Sequence, residues 1–477
     1  MKNNLKKAIS VLLCATAVMS VASCGKDKTE EIPTLTWYVV GDKQEDTASV
    51  MAEVNKITEE KIGAKLDIQF IDAAAFQQRM SMLMASGDPF DLCFTGYTNV
   101  YNQAAENGGL LELDELLETV PDLKKSIPDD MWEASRYDGK IYAVPNNQIQ
   151  GIVYAYELRK ELLDKYNIDA SKMEYPEDIE PYLQAVKDNE PNLIPYRGNY
   201  GAWPWTGKKW EALENGLLYM NKETGEILPP CDVPEVKQSA KTRNKWFNQG
   251  FYRPDALTAG NDSADYNAGR YATSDTSWKP GAEANVKNQR GWDIEFVKLN
   301  ERYKNVGYCC STMIGIGRNS QYPEKAMKFI ELVNLDKELY NLICFGIQGK
   351  HYNLDENGQV EYIDGSGYAP KADWKFGNQL NAYTLKGQPL DVWEETQREN
   401  DSAIVSRLNG FTLDKSEFQR IANEYNTANS TNKSTLNVPV DKFEEQWEAN
   451  RQAEIKNGAY KLVDNINAQI AEWEKTK

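Results

Sequence analysis

The chain has 477 residues, a formal net charge of −18 and 41% hydrophobic residues. That length holds two or three domains, each with a full core. The acidic balance argues against nucleic acid as a partner and against docking on anionic lipid through the protein's own face.

At the N-terminus, Lys2, Lys6 and Lys7 precede an apolar run from Ala8 to Val21, and small residues then lead to Cys24. This pattern reads as a secretory signal. The tetrad Val21-Ala22-Ser23-Cys24 resembles the bacterial lipobox. By that resemblance, residues 1–23 are removed and Cys24 receives a diacylglyceryl thioether. Two acyl chains give the two-signal anchoring that one chain cannot supply. A plain export signal with an accidental cysteine is the weaker alternative. Residues 24–31 then form a short polar tether. No later segment offers the ~18 apolar residues of a membrane span. The expectation is a lipid-anchored protein on the extracytoplasmic face of the cell membrane. Five further cysteines, Cys93, Cys231, Cys309, Cys310 and Cys344, form no CxxC pair and read as buried free thiols, with Cys309 and Cys310 on a strand.

Residues 35–96 read as a βαβαβ unit. LTWYVV (35–40) is a buried strand ending at Gly41-Asp42. Ala48 to Ile62 carries Val50, Val54, Ile57 and Ile62 at helical spacing. KLDIQFID (65–72) alternates as a strand, Phe76 to Ala85 is a helix, and FDLCF (90–94) is a third strand. Such alternation predicts a mostly parallel sheet covered by helices. Ligands of such sheets sit beyond the carboxyl ends of the strands. That points to Gly41 and Asp42, to Thr95-Gly96-Tyr97, and to the residues after IYAVP (141–145). The middle, 150–305, reads as helical and loop-rich, and VGYCCSTMIGIG (306–317) as one buried strand. Pro323 opens a helix at its first position, and Asp336 reads as the N-cap of the next. Asn423 to Asn437 reads as a surface loop, and the segment from Leu462 as a long amphipathic helix.

Catalytic signatures are few. One histidine, His351 in GIQGKHYNL, excludes zinc sites that need two. No GxSxG elbow, Walker loop or GxGxxG is present, so neither a hydrolase triad nor a nucleotide cofactor is expected. Paired carboxylates could make a glycosidase, yet with 72 Asp and Glu residues no pair stands out. Asn353 to Asp364 carries EF-hand-like offsets but has Asp364 where the bidentate Glu belongs. A hairpin turn at Asn357-Gly358 is the preferred reading, and no metal is expected.

What remains is aromatic. The chain has 12 Trp and 26 Tyr. Tyr200, Trp203, Trp205, Trp278 and Trp292 lie in polar, Gly- and Pro-flanked loop sequence. Indoles in such loops line clefts more readily than helix-face tryptophans such as Trp447 and Trp473, which fit a core. Flat aromatic faces stack on pyranose C–H groups, so the cluster points to an oligosaccharide. Structural loop packing is an equally good account of each single Trp.

Five phrases carry a family resemblance: SGDPFDLCFTG (86–96), GGLLELDELLE (108–118), DGKIYAVPNN (138–147), YPEKAMKFIELVNLDKELYNLICFGIQGKHY (322–352) and NGAYKLVDNINAQIAEW (457–473). The chain resembles the extracellular sugar-type (family 1) solute-binding lipoproteins of ABC importers. The last two phrases resemble the LipO-like subgroup that carries a DUF3502 domain. The resemblance implies a two-lobed α/β, periplasmic-binding-protein-like (type II) fold with the ligand cleft between discontinuous lobes. It implies an N-lobe of 32–146 and 307–365 and a C-lobe of 147–306 and 366–477, the last part holding the DUF3502-like helices. It also implies an ABC permease as partner, no catalysis, and ligand contacts at Gly41, Asp42, Thr95, Gly96, Asn146 and Asn147. Capture of an oligosaccharide is the leading expectation. A surface-anchored glycoside hydrolase or lyase, or a binder of a non-sugar ligand such as a peptide, are the alternatives.

Overall fold

Strict alternation builds the first sheet. In the strand Thr34–Val40, Leu35, Trp37 and Val39 point into the core. It pairs in parallel with Lys65–Ile71 on one side and Leu92–Thr95 on the other. The antiparallel strand Met313–Ile316 joins Leu92–Thr95 to Ala143–Pro145 and completes five strands. The molecule is a computed structural model that describes residues 32–96, 101–198, 201–258, 262–430 and 434–477.

Helices Thr47–Ile62 and Ala73–Ser86 form where the spacing predicts them. Both end at a left-handed glycine, Gly63 and Gly87. Pro323 opens the helix Pro323–Leu335. Asp336 caps the helix Lys337–Phe345, its Oδ1 accepting the Leu339 N–H at 2.9 Å. These elements bury Trp37, Phe329, Ile330, Tyr340 and Phe376 in one core. Its members run to Tyr368, Phe376 and Ala382 along the chain.

The middle of the chain is not the helical region that the sequence suggested. It holds a second sheet, in the order Ile294–Lys298, Tyr154–Arg159, Tyr271–Ser277, Ile194–Arg197. The central strand YAYELR is buried along its whole length, Glu157 and Arg159 included. Polar residues on a covered face erase the two-residue alternation by which a strand is recognised. Arg290 lies 3.4 Å from Glu157 and offsets its burial. A three-stranded antiparallel meander, Trp210–Leu213, Leu218–Asn221 and Ile227–Leu228, follows. Leu218, Met220 and Ile227 pack a third core against Phe418, Ile421, Leu462 and Ile466 of the C-terminal helices.

Other local readings are also corrected. Residues 306–317 are a helical turn, Val306–Cys309, before the strand Met313–Ile316, because the Asn305 side chain caps the Tyr308 N–H at 3.0 Å. Cys309 is therefore helical, and all five cysteines of the described residues are free and buried. Helix Lys415–Asn429 enters the stretch read as a loop, since Phe418, Ile421, Ala422 and Tyr425 keep helical spacing into it. The amphipathic helix expected from Leu462 is present as Ala459–Glu474, and Gly458, with φ of 102°, parts it from the preceding helix Phe443–Lys456. Tyr352–Leu354 and Val360–Tyr362 form the expected hairpin, with Asp355 Oδ1 accepting the N–H groups of Asn357 and Gln359 inside the turn.

His351 is fully buried and structural. Its Nδ1 accepts the Ile347 N–H at 2.8 Å, and its Nε2 lies 2.8 Å from Asp46 Oδ2. Lys350, then Ser49, then His351 hold the Asp46 carboxyl well below the usual range. A carboxyl depressed in the folded state stabilises above its unfolded pKa of about 3.9 and loses that contribution as pH falls below it. Asp46→Asn should therefore lower the unfolding temperature at pH 7, with the gap to the parent closing below pH 4. Thermal melts of both proteins across pH 3–7 check this.

Candidate functional site

The carboxyl edge of the first sheet gathers several of the predicted residues. Gly41 ends its strand with φ of 153° and donates its N–H to Ile71 O at 2.8 Å. Asp42 beside it is exposed. Thr95 is buried at the end of Leu92–Thr95, opposite Met313. Gly96 follows against the backbone of Cys310 and Ser311, where a Cβ would overlap the Ser311 carbonyl. The Asn146 N–H donates to Thr312 O at 3.0 Å, and its Nδ2 donates to Trp374 O at 3.1 Å. Asn147 accepts from the Gln379 N–H at 2.8 Å and from Gln150 Nε2 at 2.9 Å. Gly41, Thr95, Gly96, Asn146 and Asn147 thus share one edge, and the two asparagines brace it against the segment 374–379.

The predicted aromatics separate. Trp203 is half-buried and lies 5.9 Å from the ring of Tyr154, at the near end of the second sheet. Trp278 follows the strand Tyr271–Ser277 at that same end. It is buried, its indole N–H reaches Glu283 Oε1 at 3.2 Å, and Lys298 Nζ lies 3.0 Å from its ring centre. Trp205 belongs to the second core, donates to Glu177 Oε1 at 2.8 Å and sits 5.7 Å from Trp246. Trp292 lies at the opposite end of the central strand, under Arg159 at 4.5 Å. Tyr154 and Arg159 are about 17 Å apart along that strand, so Trp278 and Trp292 do not meet. Tyr200, Cys24 and the whole N-terminal signal lie outside the described residues.

The chain passes between the two sheets three times, and the passes run side by side. Ile152 and Tyr303 exchange backbone bonds of 3.0 and 3.2 Å, and Tyr303–Lys304 pairs in parallel with Ile404–Val405. Side chains fasten this ribbon. Asn400 Nδ2 donates to Gln148 O at 2.8 Å, and its Oδ1 accepts the Gln150 N–H at 2.8 Å. Arg302 donates to Glu399 Oε2 and Gly151 O, both at 2.9 Å, and lies 3.4 Å from Trp278 O. Glu211 Oε2 accepts from Tyr303 Oη at 2.7 Å and Ser406 Oγ at 2.6 Å, while burial pushes the Glu211 carboxyl up. Lys222 stands 3.7 Å over the Tyr303 ring, and burial brings its ammonium down to about 8.

The sequence reading missed Arg302, Asn400, Glu211 and Trp374. The first three have partners 92 to 252 residues away, which no local pattern reveals. Trp374, in ADWKFGN, shares the Gly-flanked polar context of the loop tryptophans and could have been chosen with them. An open depression of 710 Å³ is lined by Asp169, Glu177, Glu180 and neighbours on the helices over the second sheet, not by either strand edge. No helix among the described residues is long and apolar enough to cross a membrane.

Comparison with known proteins bears on this arrangement. The model of the bacterial extracellular solute-binding proteins matches residues 41–338. A carbohydrate ABC transporter substrate-binding protein of Streptococcus pneumoniae is 26% identical, with both chains covered in full. The crystal structure of the N-glycan transport solute binding protein NgtS from Streptococcus pneumoniae matches with a TM-score of 0.81 and 26% identity, over 93% of this chain and 99% of that one. The same protein in complex with Man5GlcNAc matches with a TM-score of 0.68 and 25% identity, over 93% and 99%.

Proposed function

Because the chain belongs to the bacterial extracellular solute-binding proteins, we propose that it captures an oligosaccharide between its two sheet-centred lobes and delivers it unchanged to the permease of an ABC importer. The observation that carries the reading is the three-strand ribbon at Ile152, Tyr303 and Ile404 between two separately cored sheets. A ribbon held by so few backbone bonds bends more readily than either core deforms. A ligand touching both lobes stabilises the closed form through contacts that the open form lacks. The two crystal structures of NgtS superpose on this chain to different extents, with TM-scores of 0.81 for the first and 0.68 for the complex with Man5GlcNAc. That difference is what a hinge-bending relative would give.

The related NgtS binds Man1GlcNAc and Man5GlcNAc. Oligosaccharides of mannose and N-acetylglucosamine are the first to test. We propose that the strand edge bearing Gly41, Asp42, Thr95, Gly96, Asn146 and Asn147 is one wall of the cleft and that the end of the second sheet near Trp203 and Trp278 is the other; Trp205, in the second core, and Trp292, at the far end of the central strand, stand away from it. Residues 32–146 and 307–365 make up one proposed lobe, which the first core extends past 365 to Ala382, and 147–306 with the C-terminal helices make up the other. Isothermal titration with a panel of oligosaccharides and peptides tests the reading. Heat from mannose–N-acetylglucosamine oligomers supports it, whereas silence across sugars with binding of a peptide overturns it.

The anchor at Cys24 is part of the proposal and is supported by the lipobox-like tetrad. In a lipoprotein-processing bacterium, Cys24→Ser should move the protein from the membrane fraction to the soluble extracytoplasmic fraction. Retention in the membrane would contradict it.

A further inference from the structure

We propose that Trp374 is the pyranose-stacking platform of the first lobe. This rests on the oligosaccharide reading above and adds the residue that would hold one sugar ring.

Trp374 stands where three strands of the first sheet deliver their carboxyl ends. Its carbonyl accepts Asn146 Nδ2, just past Ala143–Pro145. Its ring meets Phe94 of Leu92–Thr95 edge-on, with centroids 6.2 Å apart. The next residue, Lys375, donates its ammonium to Val40 O at 2.7 Å, at the end of Thr34–Val40. Ligands of such sheets lie beyond these ends.

The indole is also the one at that edge with capacity to spare. Trp374 is half-buried. Among the described residues its indole N–H meets no acceptor. Trp205, Trp246 and Trp278 donate theirs to Glu177, Glu180 and Glu283, and Trp393 donates to Ala382 O. Trp278 has Lys298 against its ring, and Trp292 has Arg159. Trp374 has Phe94 edge-on and Lys375 Nζ over its ring at 5.0 Å, farther off than the cations over Trp278 and Trp292, and its N–H can serve a sugar hydroxyl.

The platform is rigid before any ligand arrives. On its N-terminal side, Asp373 accepts from Tyr340 Oη at 2.6 Å and from Gln379 Nε2 at 3.0 Å. Asn146, Lys375 and Phe94 fix the other sides. A preordered aromatic face lowers the ordering cost of binding, and indole is the largest flat surface a side chain offers.

The test is titration of the full chain with Man5GlcNAc, by calorimetry and by the indole N–H resonance of Trp374, assigned from its loss in Trp374→Phe. Trp374→Ala should weaken binding about ten-fold or more, with Trp374→Phe between it and the parent. The assigned resonance should shift on adding sugar to the parent protein. If Trp374→Ala proves unfolded by circular dichroism, the resonance shift and Trp374→Phe still decide. A parent protein that binds while both variants match it, or while the resonance stays fixed, overturns this inference alone. A parent protein that binds no sugar overturns the oligosaccharide reading and this inference with it.

Discussion

Arg302→Met should lower the stability of the protein by about 3 kcal/mol, because it removes one partner from a largely buried ion pair. The Arg302 side chain is 1% exposed and that of Glu399 27%. The guanidinium also serves the carbonyl of Gly151 in the first pass between the sheets. Methionine fills much of the space but leaves Glu399 without its cation and that carbonyl without its donor. With an unfolding entropy near 2 cal/mol/K per residue, the expected fall in unfolding temperature is about 3 °C. Differential scanning calorimetry checks it. The double variant Arg302→Met, Glu399→Leu should recover part of the loss, since an apolar pair avoids the stranded charge. A single variant as stable as the parent would show that the ribbon is held by its backbone bonds alone.

Gly96→Ala should be the most damaging single-methyl change at the proposed cleft. The added Cβ would overlap the Ser311 carbonyl oxygen and sit 2.9 Å from its carbon. Both obstacles are backbone, and both belong to the turn that feeds the strand Met313–Ile316. Relief requires the ends of two adjacent strands to separate, at a cost of about 1–3 kcal/mol. The same movement displaces Thr312, whose carbonyl positions the Asn146 N–H and whose hydroxyl accepts from Gln148 Nε2 at 2.6 Å. Loss of sugar affinity of about ten-fold or more should therefore accompany the loss of stability. Calorimetry of unfolding and of binding on the same preparation measures both. A variant with parental affinity would place the ligand away from this edge.

The two halves of the fold differed in how openly the sequence declared them. Leu35, Trp37 and Val39 alternate with partly exposed neighbours, so the first sheet could be read directly. Tyr154–Arg159 buries every residue, and Glu157 and Arg159 hide its character. The turn Val306–Cys309 was concealed inside an apolar run because its cause is one side chain, Asn305. At the site, loop context drew attention to Trp203, Trp205 and Trp278 alike. It could not tell which indoles meet a carboxylate or a cation contributed from elsewhere in the fold. Glu177 lies 28 residues before Trp205, and Lys298 is on the next strand of the second sheet. The positions of Gly41, Thr95, Gly96 and Asn146 followed from strand ends alone, which is why that edge of the first sheet was legible and the ribbon joining the two sheets was not.

When an oligosaccharide binds, the two proposed lobes should swing together on the ribbon at Ile152, Tyr303 and Ile404. Small-angle X-ray scattering of the protein before and after saturation with Man5GlcNAc measures this most directly. The radius of gyration should be smaller in the saturated sample. An unchanged scattering profile in a sample whose calorimetry proves the sugar is bound would contradict it.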